Sequence, residues 1–300
     1  MQQLNRKLAV LTALSLAACG GAIDNGSDSE GADVAPHVHA IASQQGKPGG
    51  GGTNGISYHG GPIVLGTPAV YNIFYSNGGF TSSDVTFLNA LPGGLSGSPY
   101  EMINSTYYNG SSQHVSAAMS FGGQASTTEY LGNSLSDAQI LQIISDTIGA
   151  GKLPLDPNGL YFVLTSADVT ASSGFCTNYC GWHTHGNVGT TKIRYSFVGD
   201  PDRCPAACNA QTSSPNAYGT GVNGMASIYA HESEETFSDP DGNAWYDTRG
   251  AENADKCAWT FGTEFTSNGA RANITLGGTN MLIQQNWVNA SGGYCSMHYP

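Results

Sequence analysis

Met225-Ala-Ser-Ile-Tyr-Ala-His231-Glu232-Ser-Glu-Glu235-Thr-Phe-Ser-Asp239-Pro240 carries the densest chemistry in the chain. Met225, Ile228, Tyr229 and Phe237 follow a helical repeat, and Pro240 stops it. On that helix His231 and Glu235 lie four residues apart, one turn from each other on one face, with Glu232 beside them. The pattern is one substitution from H-E-x-x-H, in which two ligands flank a general-base glutamate on a zinc helix. Here the second ligand is a carboxylate, which zinc also accepts. His231 and Glu235 are the candidate ligands and Glu232 the candidate base.

Downstream, Asp239-Pro-Asp241-Gly-Asn243-Ala244 is a turn full of oxygen donors. It begins like a calcium loop but has Ala244 where an EF-hand needs glycine. Glu252 and Asp255 follow about twenty residues past the helix, where a distal carboxylate completes three protein ligands and leaves a position for water. Upstream, Trp182-His183-Thr184-His185 places two imidazoles on one face if the segment is extended. His183, His185 and Asp239 are therefore alternative metal residues. Zinc is the candidate ion and calcium the alternative. Trp182, Trp245 and Trp259 are candidate cleft walls.

The start of the chain has a different character. Arg6 and Lys7 precede an apolar run, Leu8 to Ala18, too short to span a membrane. Leu16-Ala17-Ala18-Cys19 resembles a bacterial lipobox, so Cys19 is the expected lipidation site and the lipid anchor the only expected contact with a membrane. Residues 1–19 are thus read as a signal peptide with a lipobox and 20–55 as a flexible, low-complexity tether. Residues 56–300 are read as one folded domain.

Composition agrees with export. Only 11% of residues are Asp, Glu, Lys or Arg, and the net charge of -12 leaves no basic patch for nucleic acid. Six cysteines besides Cys19 (Cys176, Cys180, Cys204, Cys208, Cys257 and Cys295) imply three disulfides in an oxidising space. The expected pairing joins Cys257 to Cys295 and the other four among themselves.

Strands and helices alternate along the domain. Pro62–Tyr75 reads as two short strands or one interrupted strand, Ser82–Leu91 as a helix capped at Ser83-Asp84, and Ser98 as the cap of a helix running to about Tyr108. His114–Tyr130 reads as a strand pair, Ser136-Asp137 caps a helix bearing Ile140, Leu141, Ile143, Ile144 and Ile148, and Leu160–Thr165 and Lys192–Val198 are strands. The fold class is mixed α/β (α+β): one domain with a central mixed sheet flanked by helices, zincin-like and disulfide-stapled.

Several segments together resemble the phosphate-induced protein 1 family, which includes the plant EXORDIUM proteins. They are Tyr58-His59-Gly60-Gly61-Pro62, Tyr161 to Val169, Gly174-Phe175-Cys176 with Cys180-Gly181, and Phe197-Val198-Gly199 leading to Cys204-Pro205 and Cys208. Ala230-His231-Glu232, Glu235, Pro240, Asn243 to Tyr246 and Glu252 to Cys257 match as well. The resemblance runs from about His59 to Cys295. It implies an extracellular, often wall-associated protein; the plant members are linked to growth responses and have no settled enzymatic activity. Trp182-His183 stands as an insertion ahead of Thr184-His185-Gly186, which favours His185 over His183 as the shared residue. The lipobox points to a bacterial member.

Two functions follow. One is a zinc-dependent hydrolase, a metallopeptidase acting on a peptide or cell-envelope polymer. The alternative is a non-catalytic envelope- or wall-binding protein with a structural calcium. A G-x-S-x-G nucleophile elbow and a phosphate-binding glycine loop are both missing from the sequence.

Overall fold

The central sheet has six strands: β1 (His39–Ala42), β2 (Ala69–Tyr75), β3 (Ser120–Thr127), β4 (Leu160–Thr165), β5 (Tyr179–Val188) and β6 (Thr191–Gly199). They lie in the order β1-β5-β6-β4-β2-β3. In this computed structural model, residues 39–42 are described by their backbone and residues 55–300 in full. The signal peptide and lipobox expected over 1–19 lie outside the described residues, as does the tether over 20–55 except for 39–42 and 55. β3, β2, β4 and β6 run parallel, while β5 is antiparallel to β6 and β1 antiparallel to β5. The sheet is mixed, as expected.

β4 is buried along its whole length and β2 almost so, which is why both read as continuous apolar runs and not as alternating ones. Helix α1 (Ser82–Leu95), helix α2 (Asp137–Gly149) and helix α3 (Thr220–Ser238) cover the two faces. The glycines of β5 show which helix lies where. A Cβ at Gly181 would meet Ile228 and Glu232 of α3, whereas one at Gly186 would meet Leu141 of α2. Odd and even positions of a strand face opposite ways, so α3 and α2 sit on opposite faces. α1 joins α3: Asn72 of β2 donates to the Leu88 carbonyl and to Asn89 of α1, and accepts from the Tyr229 hydroxyl of α3. Tyr229 also stacks on Phe162 at 4.0 Å.

Local chemistry explains where the elements differ from expectation. Pro62–Tyr75 contributes a strand only from Ala69, since Pro62, Gly66 at φ 74° and Pro68 break the earlier part. The α1 cap is Thr81, not Ser83; its side chain and that of Asp84 exchange hydrogen bonds with the first turn. The expected helix from Ser98 to Tyr108 is only a 3-10 turn, Glu101–Thr106. There the Ser105 and Thr106 hydroxyls take the carbonyls of Met102 and Ile103, competing with helix continuation. The expected strand pair over His114–Tyr130 is the single strand β3, parallel to β2. Ser136 caps α2 as expected, in a reciprocal capping box with Gln139.

Three disulfides close the domain: Cys176–Cys204, Cys180–Cys208 and Cys257–Cys295. The first two tie the start of β5 to the loop before α3. Among the described residues, no helix is long and apolar enough to cross a membrane.

Candidate functional site

α3 begins at Thr220, five residues earlier than its apolar repeat suggests, and every residue from Gly221 to Ser238 is buried. Its polar residues therefore lie inside the protein, not on a solvated helix end. His231, Glu232, Glu234 and Glu235 are all 0% exposed. Burying that many ionisable groups is costly unless each finds a partner, a proton or a cation.

Two donor triads form around Glu235. In one, His183, Glu235 and Glu252 bring ligand-type atoms within 4.8 Å of one another; in the other, His231, Glu235 and Asp255 do so. The Glu235 carboxylate divides between them. Its Oε1 lies 3.0 Å from His231 Nε2 and accepts the Asp255 backbone N–H at 3.0 Å, while its Oε2 lies 3.8 Å from His183 Nε2. His183 Nε2 is 3.0 Å from Glu252 Oε2, and His231 Nε2 is 3.6 Å from Asp255 Oδ1. Despite these approaches, neither His231 nitrogen has a hydrogen-bond partner of proper geometry, nor does Glu235 Oε2 or Glu252 Oε1. Buried polar atoms are nearly always paired, so such a concentration of unpaired ones calls for a partner, a proton or a cation.

Burial pushes Glu235 up to about 7, with the Asp255 charge adding and His231 opposing. Burial also drives Glu252 well above the carboxylate range, helped by the charges of Glu235, Asp239, Asp255 and Glu232. Burial alone would lower His231. The carboxylates of Glu235, Asp255 and Glu232 outweigh it and hold the imidazolium well above the usual histidine range. Left to itself, the cluster keeps protons that a divalent cation can replace.

Of the alternative residues, the strand separates the two histidines. His183 and His185 do point to one face of β5, as expected. But a two-residue step along a strand is about 6.7 Å, and it carries His185 to Asp241, Lys192 and Arg194 instead. Burial lowers the His185 pKa, and it enters neither triad. Of these two alternative metal residues, the one brought to the acids is His183. Asp239 ends α3: its Oδ1 accepts the backbone N–H groups of Asn243 and Ala244 at 2.6 and 2.7 Å. Burial raises its carboxyl to about 6. Asp241 is taken by Lys192 and Arg194, whereas Asp239 Oδ2 is buried without a partner and the Asp239 charge acts on Glu252. Glu232 stands beside the triads, its Oε1 2.9 Å from where a Gly181 side chain would begin. Trp182 and Trp245 belong to the core, 0% and 3% exposed, and not to a cleft wall.

Gly181 thus makes room for the candidate base. An added methyl would also lie 2.5 Å from Ile228 and 3.0 Å from the Phe197 carbonyl. Gly181→Ala is expected to cost about 1–3 kcal/mol through overpacking, read as a lowered denaturant midpoint, and to displace Glu232.

Over the matched residues 56–276, the chain fits the family model described as phosphate-induced protein 1 conserved region. The chain belongs to the phosphate-induced protein 1 family. It is 30% identical to Protein EXORDIUM-like 5 of Arabidopsis thaliana, over 69% of this chain and 65% of that protein. It is 27% identical to EXORDIUM-like 3 of the same plant, over 80% and 82%. Against Protein PHOSPHATE-INDUCED 1 of Nicotiana tabacum the identity is 30%, over 64% and 67%. No solved structure matches the chain. The family match covers α3 and both triads, and the three disulfides fit an extracellular member of it.

Sequence reading missed a second carboxyl pair, on the far side of α3. Glu234 and Glu101 face each other, close enough to share a hydrogen when one is protonated, and the Asn286 side chain donates to Glu234. Asn253 anchors the loop carrying Glu252 by donating to the Glu234 carbonyl at 3.1 Å and to Asn104 at 3.2 Å. Burial lifts Glu101 from 4.5 to about 7 and Glu234 well above its ordinary value. Between 4.5 and about 7 the folded Glu101 holds a proton that the unfolded chain has lost, so stability falls as pH rises through that window. A shift of this size corresponds to about 3 kcal/mol. Glu101→Gln, whose amide supplies the shared hydrogen at every pH, is expected to remove that slope when urea midpoints are measured from pH 4.5 to 8.

Proposed function

We propose that this member of the family is a zinc-dependent hydrolase of the cell exterior, a metallopeptidase acting on a peptide or cell-envelope polymer. Three of His231, Glu235, Glu252, Asp255 and His183, taken as one triad around Glu235, would hold the ion and leave its fourth position for water, and Glu232 is the base. The supporting observation is the pair of triads sharing Glu235, buried apart from a half-buried Asp255, with unpaired donor atoms in both. Two imidazoles and three carboxylates are a donor set that zinc accepts. Among the described residues, the ion pairs of Lys192, Arg194 and Arg271 go to Asp241 and Glu264, and that of Lys256 to Asp247.

When bound, the ion polarises a carbonyl and lowers the pKa of water. Glu232 takes the proton of the attacking water and returns it to the leaving amine, so each bond broken consumes one water. The four α3 and loop residues fix the donors from one rigid helix and one disulfide-anchored turn. Cys19 carries the lipid that holds the protein to a bacterial envelope, and the anchor is its one contact with a membrane.

Metal analysis of the purified chain tests this reading. The expected result is about one equivalent of zinc, because both triads draw on the same carboxylate. That zinc should be removed by a chelator and, since Glu235 takes up a proton near 7, held less tightly at pH 6 than at pH 8. Calcium in place of zinc would assign the alternative, a non-catalytic wall-binding protein.

A further inference from the structure

One edge of the sheet passes directly over the candidate site, and the chain itself occupies it. β5 is hydrogen-bonded to β6 on one side and to β1 on the other. β1 is a four-residue strand, brought from far upstream in sequence, running antiparallel to β5. Its His39 backbone lies opposite His183, Ala40 opposite Trp182 and Ile41 opposite Gly181, and the register shifts at Ala42. β1 also packs against α3 and against the Asp255–Cys257 turn. Its backbone therefore passes the strand carrying His183, the helix carrying His231 and Glu235, and the turn opened by Asp255.

An extended peptide adds to a free sheet edge through main-chain hydrogen bonds, which hold its carbonyls in fixed register and leave its side chains free to vary. Gly181, opposite Ile41, is also the position where an added side chain would collide with Glu232. A peptide in the place of β1 would thus run along the residues the hydrolase reading uses, in the one conformation that a strand edge enforces.

We propose that the β5 edge is the seat for an extended peptide substrate and that His39–Ala42 fills it as an internal, self-inhibiting occupant. The catalytic half of this proposal rests on the hydrolase reading. The peptide-binding half does not.

The test uses the full chain with Ala40→Pro and Ile41→Pro. Proline has no N–H for the ladder and should release β1. Two readouts are taken: anisotropy of a fluorescent synthetic peptide of residues 36–45, and cleavage of labelled casein. The expected result is peptide binding at least tenfold tighter to the proline variant than to wild type, with at least a fivefold rise in casein cleavage. Tighter peptide binding with no cleavage by either protein would keep the seat and sink the hydrolase reading. Equal or no peptide binding in the variant would overturn the proposal, whatever the cleavage result. Hydrogen exchange on the wild-type chain guards against a variant that fails to fold. The amides of residues 39–41 should exchange at least 100-fold faster than those of β4 by local opening. Exchange at the β4 rate would make β1 a fixed strand of the sheet and would also overturn the proposal.

Discussion

Glu235→Gln is expected to leave a folded protein that binds zinc at least 100-fold more weakly than wild type. Glu235 is the residue common to both triads, its two oxygens pointing one to each. Losing a mere outer-shell partner of a metal ligand already costs roughly 10–100-fold in affinity. Removing the shared charge takes a donor from both sets at once. The amide keeps the shape and can still accept the Asp255 N–H through its oxygen, so the core should stay packed. It also relieves the crowding of buried acids around Glu252, so the metal-free variant should be no less stable than metal-free wild type. Zinc titration by calorimetry, with urea unfolding in chelator, checks both halves. Wild-type zinc affinity in the variant would show that Glu235 is no ligand.

Glu232→Gln should have the complementary effect: zinc content unchanged and turnover lowered by roughly 10²–10⁴-fold, the usual contribution of a positioned general base. Glu232 lies in neither triad, so its removal takes no donor from the ion. It nevertheless shares their electrostatic neighbourhood, acting on both His231 and Glu252. The amide cannot take a proton, so the loss should appear in kcat with KM little changed. Steady-state kinetics on a peptide substrate, paired with metal analysis, separates this from the Glu235 result. A Glu232→Gln protein as active as wild type would remove the catalytic role from α3.

The helix was legible because its chemistry is local: His231, Glu232 and Glu235 meet through the helical repeat alone. The distal acids could be found by their distance along the chain, and the Cys257–Cys295 pairing was expected as well. His183 was harder. It reaches the site from a strand about fifty residues upstream, and its place along β5, not the face it shares with His185, brings it to the acids. β5 is buried on both faces over most of its length and so lacks the alternation that betrays a strand. The start of α3 was hidden for a similar reason. Thr220, Gly221, Asn223 and Gly224 are weak helix formers, and they are helical because they are packed against the loop before them. Glu234 and Glu101 could not be paired from sequence, since they are brought together by tertiary packing.

The Cys257–Cys295 bridge lies two residues from Asp255 and five from Glu252. In the cytoplasm, where thiols stay reduced, the newly made chain lacks that clasp, and the loop bearing two of the acids has no covalent hold. Oxidation after export closes it. On the hydrolase reading, a donor loop held only after that oxidation would keep the protein inactive until it has left the cytoplasm, sparing the interior of the cell from premature proteolysis.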